Sequence, residues 1–207
     1  MPLIFSVIAY VLVYFFAQPL ISPLLAVTNL AFSSNAGREV YSGKVFELVD
    51  IKEPVDETIP ASSISFPKYG DQYARVCIEG TKVDTPVFFG DSKELLKKGA
   101  AQYIGSKLPG FGGTIIIGAH KTTHFKDLES VKIGDAVTIV TSYGVYKYTV
   151  NDLKVVDPKD TTAYDLGADH ENLILYTCYP FNMMGFSKKR YFVYAEYTSG
   201  PVVDVSK

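Results

Sequence analysis

Tryptophan is absent from this chain, cysteine occurs only at positions 77 and 178, and histidine only at 120, 124 and 170. Two cysteines are too few for a disulfide scaffold, and no fourth ligand accompanies His120, His124 and Cys178 for a metal site. No charge sign dominates: 20 Lys and Arg face 22 Asp and Glu, for a net charge of −2. That excludes the basic footprint of a nucleic-acid binder. Charge of either sign is missing altogether before Arg38. What remains is an ordinary globular composition, with 47% hydrophobic residues over 207 positions, enough for one well-buried domain and incompatible with a disordered chain. The aromatic content comes from 15 Tyr and 13 Phe, residues that favour β-structure.

The charge-free start is strongly apolar. Residues 3–17 (LIFSVIAYVLVYFFA) contain one polar side chain, Ser6, and the apolar character resumes over Leu20–Val27 after Gln18-Pro19. As a helix, residues 3–17 would span about 22 Å, short of the ~30 Å hydrocarbon core, whereas extension to Val27 reaches ~37 Å. Residues 1–27 are therefore expected to form an N-terminal hydrophobic helix that anchors the chain in a membrane. A cleaved signal peptide is an alternative, since Ala31-Phe32-Ser33 approximates a small-x-small site; a buried core helix is another. Arg38 and Lys44 lie beyond the apolar run and do not fix its orientation. Residues 28–44 are small and polar and read as a linker, which leaves 45–207 as the folded domain.

Within that domain, β-rich runs alternate with Gly, Pro and Asp. Strands are expected at Val45–Ile51, Tyr73–Ile78, Thr85–Phe89, Thr114–Gly118, Ala136–Thr141, Tyr146–Val150, Leu153–Val156, Asn172–Thr177 and Tyr191–Tyr197. Ser142-Tyr143-Gly144 reads as a hairpin turn. Only Ser92–Tyr103 has helical spacing, through Leu95, Leu96 and Ala100. The pattern predicts a mainly β barrel or sandwich, and a barrel is preferred because closure removes exposed edges.

Three residues stand at strand ends, where a side chain is held at a rim. His120 follows Ile115-Ile116-Ile117-Gly118-Ala119, Cys178 closes Leu173–Thr177, and Arg190 opens Tyr191–Ala195. If the last two strands pair antiparallel, Cys178 and Arg190 share a rim. His120 joins them if its strand runs parallel to the cysteine strand. A thiol titrating near 8.5 needs a base to supply its nucleophilic thiolate. An imidazole can exchange that proton, and a guanidinium can hydrogen-bond an oxyanion but cannot act as a base. Together these are the parts for acyl transfer through a thioester. Each has a plainer reading: a strand cysteine is usually core, a histidine after a strand usually hydrogen-bonds its loop, and an arginine at a strand start is usually solvated. Cys77, in Arg75-Val76-Cys77-Ile78, reads as core. His124 reads as a structural loop residue rather than a metal ligand with His120 and Cys178. His170 reads as a surface turn.

The segments Gly113–His120, Leu175-Tyr176-Thr177-Cys178-Tyr179-Pro180-Phe181 and Lys189–Ala195 resemble the sortases, cysteine transpeptidases of Gram-positive bacteria, and most of all their class D branch. Pro86–Gly90, Glu94–Gly99 and Leu108-Pro109-Gly110 add to the likeness, which spans about residues 75–197. The resemblance implies a closed eight-stranded β-barrel with one or two short helices. It implies Cys178 as nucleophile, His120 as general acid/base and Arg190 as oxyanion or substrate stabiliser, with Thr177, Ala119 and Tyr179 as substrate-binding neighbours and no metal or other cofactor. Ala119 stands where many relatives have Gly, and Ile174 where Thr is usual. The implied activity is cleavage of an LPxTG-like C-terminal sorting signal and transfer of the acyl group to an amine, such as a peptidoglycan precursor. The implied location is the cell membrane, single-pass, with the catalytic domain extracellular. The residues alone also allow a cysteine hydrolase using water as acceptor, or a non-catalytic exported barrel that binds a partner. Loops 157–171 and 179–189 are the expected selectors of substrate.

Overall fold

The computed structural model describes residues 54–183 and 187–206. The expected anchor at 1–27, the linker at 28–44 and the strand at Val45–Ile51 lie outside the described residues. Among those described, no helix is long and apolar enough to cross a membrane.

The strands are β1 (Thr58–Pro60), β2 (Gln72–Ile78), β3 (Asp84–Phe89), β4 (Ala100–Gln102), β5 (Thr114–Gly118), β6 (Ala136–Thr141), β7 (Val145–Val156), β8 (Asn172–Tyr179), β9 (Lys189–Ser199) and β10 (Val202–Asp204). One short helix, α1 (Lys93–Lys98), and two 3-10 turns, Ala61–Ser63 and Lys126–Ser130, complete the described elements. Eight strands close into a barrel in the order β2-β3-β4-β5-β8-β9-β7-β6, while β1 and β10 form a separate parallel pair. The preference for a barrel over a sandwich is met.

Alternation places the core. Ile115 and Ile117 of β5, Ile139 of β6, Tyr146 and Tyr148 of β7, and Leu173 and Leu175 of β8 point inward and are fully buried. Their neighbours Ile116, Ile174 and Phe192 point outward into a second apolar cluster with Val156, Tyr176 and Tyr194. A strand covered on both faces reads as a continuous apolar run, which is why Ile115-Ile116-Ile117 and Leu173-Ile174-Leu175 show no alternation.

Two expected strands, Tyr146–Val150 and Leu153–Val156, are one strand interrupted by a bulge at Asn151, where the pairing with β9 slips between Val150 and Asp152. The extra residue shifts the inward phase from Val150 to Leu153, and a one-residue phase break looks like a strand boundary in sequence. The expected helix Ser92–Tyr103 ends instead at Lys98. Ser92 caps it by accepting from the Leu95 N–H. Gly99 then turns extended where a Cβ would lie 2.5 Å from the Pro86 carbonyl oxygen. Ala100–Gln102 continues as β4, parallel to β3 and antiparallel to β5. Cys77 also departs from expectation. It shares the outward face of β2 with Arg75, is half-exposed, and its Sγ donates to Asp84 at 3.3 Å. Burial and the Asp84 carboxylate push its thiol up to about 11, so it stays protonated.

At the barrel end where β5 and β8 begin, Glu171 accepts from the N–H groups of Gly110 (2.9 Å) and Gly112 (3.2 Å) and from the Tyr148 hydroxyl (2.6 Å). Burial raises its pKa despite these bonds. A carboxyl whose folded pKa is raised contributes most to stability while protonated. That contribution is complete below the unfolded value of about 4.3 and is lost as pH rises through the folded value. Glu171→Gln keeps an acceptor for both glycines without the charge. Its melting temperature is expected to gain on wild type as pH rises above about 4, until the folded wild-type carboxyl has ionised. Glu171→Ala strands the three donors and should cost roughly 2–4 kcal/mol. A pH-independent gap between wild type and Glu171→Gln in thermal melts would contradict this role.

Candidate active site

The conditions that would bring the three strand-end residues together are met. β8 and β9 pair antiparallel with Cys178 directly opposite Arg190, and side chains of such a pair sit about 4.5–5.5 Å apart at Cβ. β5 runs parallel to β8 with Gly118 opposite Tyr176. The ladder continues one residue further, because the Ala119 N–H donates to the Tyr176 carbonyl at 3.2 Å. β5 ends at Gly118 and a turn begins at His120, whose carbonyl accepts from the Thr123 and Phe125 N–H groups, so His120 stands at the barrel end that also carries Cys178.

The alternation also fixes the face. Leu175 and Thr177 point into the barrel, so Tyr176 and Cys178 point out; Val193 points in, so Phe192 and Arg190 point out; Ile117 and Ala119 point in, so Gly118 points out. Sulfur and guanidinium therefore share the outer face at one rim of the barrel, the rim at which β5 also ends, two residues before His120. Gly118 is required there, because the Tyr176 ring lies over it, 2.4 Å from where a Cβ would stand. Tyr176 in turn packs on Phe192 with ring centroids 5.6 Å apart.

The electrostatics suit a neutral imidazole. Partial burial pulls the His120 pKa below its ordinary value, and the ammonium of Lys97 at the end of α1 pulls it further, although part of the ring remains open to solvent. Arg190 donates from Nη1 to the carbonyls of Ser187 (3.2 Å) and Lys189 (3.1 Å). These bonds fix the guanidinium against its own loop, and a guanidinium carries five N–H donors in all. Burial, then the Asp91 carboxylate, raises the Tyr176 phenol, while Arg190 lowers it.

Thr177 and Ala119 are turned away from this face. Thr177 is 1% exposed, and its hydroxyl donates to the Ala119 carbonyl at 2.7 Å. The pair ties the β5 end to the β8 end from inside, where its side chains do not reach the outer face. Tyr179 also lies on the inner side. It stacks on Tyr191 (6.3 Å, 23°) and meets Phe181 edge-on (6.1 Å), which closes the barrel end with aromatic rings. His124 bonds Thr85 Oγ1 through Nδ1 at 3.0 Å, and burial, as the largest influence, lowers its pKa. His170 is exposed and contacts Asp169. Sequence reading gave no role to Lys121, Gly118 or Tyr176. Their neighbours in the fold define them, and no local pattern announces it.

A cavity of about 530 Å³ opens on the same outer face, with Ile174, Val156 and Tyr194 among its lining residues and Thr162, Tyr164 and Asp165 contributed by the β7–β8 segment. Tyr194 holds that segment by donating to the Ala163 carbonyl at 2.8 Å. The cavity lies toward the start of β8. From Ile174 to Cys178 is about 13 Å at ~3.3 Å per residue, so the cavity is not the place where the three polar groups meet.

Residues 76–198 match the sortase domain as a family model. The chain belongs to the sortase family. Sortase D of Bacillus subtilis (strain 168) is 32% identical over 130 residues, which cover 63% of this chain and 66%, just under two thirds, of that relative. Among solved structures, a Sortase D5 transpeptidase of Clostridium perfringens is 25% identical with a TM-score of 0.59, covering 65% of this chain and 83% of that one. Sortase C of Clostridium perfringens, solved with the C-terminal cell wall sorting motif, is 28% identical with a TM-score of 0.57, covering 64% of this chain and 73% of that one. The matched family segment contains β5, β8 and all of β9 but its last residue, and hence all three strand-end residues.

Proposed function

We propose that the protein is a membrane-anchored cysteine transpeptidase that cleaves an LPxTG-like sorting signal and passes the acyl group to an amine. The observation that supports this reading is the pairing of Cys178 with Arg190 at one rim of the barrel, with β5 parallel to β8 so that the chain reaches His120 at that same rim. Family membership supports it, as does the solved relative with its sorting motif.

In this reading the Cys178 thiolate attacks the carbonyl carbon of the Thr–Gly bond of the signal. Arg190 donates hydrogen bonds to the oxygen that gains the charge. The His120 imidazolium gives its proton to the departing glycine nitrogen, the C–N bond breaks, and a thioester remains on Sγ. A primary amine then attacks that thioester, with neutral His120 taking its proton. The new amide leaves and the thiolate–imidazolium pair returns. The lowered His120 pKa suits the second half, in which the imidazole must accept a proton. The overhanging 157–171 segment is the expected selector of signal side chains. Anchoring by residues 1–27, with the domain outside the cell and an acceptor supplied by peptidoglycan precursors, completes the proposal; it rests on the charge-free apolar run.

The test is incubation of the purified full chain with a peptide carrying an LPxTG-like signal, with and without a small primary amine. The amide-linked product is expected to appear and to grow with amine concentration. Hydrolysis product alone, unchanged by amine, would favour water as acceptor. No cleavage of any signal variant would remove both enzymatic readings.

A further inference from the structure

Lys121 directly follows His120, yet its side chain is turned inward and only 7% exposed. Its Nζ donates to the Pro180 carbonyl at 2.6 Å and to Ser187 Oγ at 2.7 Å. Pro180 stands two residues after Cys178, and Ser187 three before Arg190. Ser187 is itself buried, and its carbonyl accepts from Arg190 Nη1 at 3.2 Å. One ammonium thus joins the histidine-bearing turn to both ends of the β8–β9 connection, and through Ser187 to the guanidinium.

We propose that Lys121 is a positioning residue that holds His120 in register with Cys178 and Arg190. The inference rests on the reading of those three as the catalytic groups. Burying an ammonium costs several kcal/mol unless a close counter-charge repays it. Among the described residues, the recorded partners of Lys121 are two neutral oxygens. An apolar side chain of similar length would serve the packing as well or better, so stability alone does not account for a cation here. Its directional bonds reach both described ends of the β8–β9 connection, and they add to the packing of Phe181 on the core cluster that holds Ala119 and Phe125. A displacement of about 1 Å at such a site is enough to cost two orders of magnitude in rate.

Lys121→Met keeps length and volume and removes the donors. In the peptide-plus-amine assay the full-length variant is expected to lose at least tenfold in kcat with KM within threefold, and its melting temperature should not fall. Lys121→Arg, which can still donate to both oxygens, should recover most of the lost kcat. Ser187→Ala removes one acceptor while keeping the carbonyl that holds Arg190. It should lose a smaller factor in kcat, and this second variant keeps the proposal testable if Lys121→Met folds poorly. Wild-type kcat in a folded Lys121→Met or, where that variant does not fold, in Ser187→Ala would overturn the proposal, as would a loss confined to KM or to melting temperature. Cys178→Ala and His120→Ala run alongside. If they are inactive while Lys121→Met is normal, only the positioning role fails; if they remain active, the catalytic reading itself has failed.

Discussion

Cys178→Ala is expected to lower acyl transfer from a sorting-signal peptide by roughly 10⁴-fold or more, because the thioester route then lacks its thiol. The second cysteine cannot stand in. Cys77 lies on β2, its Sγ donates to Asp84, and its thiol is pushed up to about 11, which leaves it overwhelmingly protonated at neutral pH. Cys77→Ser should therefore turn over at close to the wild-type rate. The fold should survive the Cys178 change, since its side chain is half-buried on the outer face rather than in the barrel core. Substitutions at such positions usually cost no more than about 1 kcal/mol. Parallel progress curves and thermal melts of the two variants make the comparison. Comparable losses in both, or activity retained by a folded Cys178→Ala, would contradict the assignment.

Arg190→Lys is expected to lose about 10²–10³-fold in kcat, the range seen when an oxyanion donor is removed. Charge is conserved in this change, so the loss isolates geometry. The guanidinium is braced by the Ser187 and Lys189 carbonyls through Nη1, and its planar fork presents further donors in a fixed direction. An ammonium at the same Cβ offers a single flexible point charge. The melting temperature should change little, because the bonds of Arg190 are to carbonyls of its own loop. Steady-state kinetics of the lysine variant at saturating peptide would show the effect, and near-normal kcat there would remove Arg190 from the chemistry.

Much of the site was readable because it depends on where strands end. The apolar runs Ile115–Ile117 and Leu173–Leu175 mark strands covered on both faces, and His120 and Cys178 come at the same remove from them. Pairing direction was the open condition, and it is set by connections too distant in sequence to show locally. Three features escaped for distinct physical reasons. β4 is Ala-Ala-Gln, which has helical propensity and becomes a strand only because β3 and β5 flank it. The Asn151 bulge reverses the inward phase of β7, so one strand looked like two. Thr177 and Ala119 were expected beside the substrate, but the same alternation that turns Cys178 outward turns them inward. For Cys77 the signal was present: Arg75 two residues earlier marks the solvent face of β2. Nothing in the sequence around Lys121 distinguishes a buried ammonium from the exposed lysines that surround most loops.

Cys178 as the covalent nucleophile is the claim on which every other role depends. Intact-mass measurement of the full chain, quenched in acid during turnover of a sorting-signal peptide without amine, tests it most directly. The account predicts a mass increase equal to the acyl fragment up to threonine, localised by digestion to the peptide containing Cys178 and discharged when a primary amine is added. Product formation with no such adduct, or with the acyl group on any other residue, would contradict it.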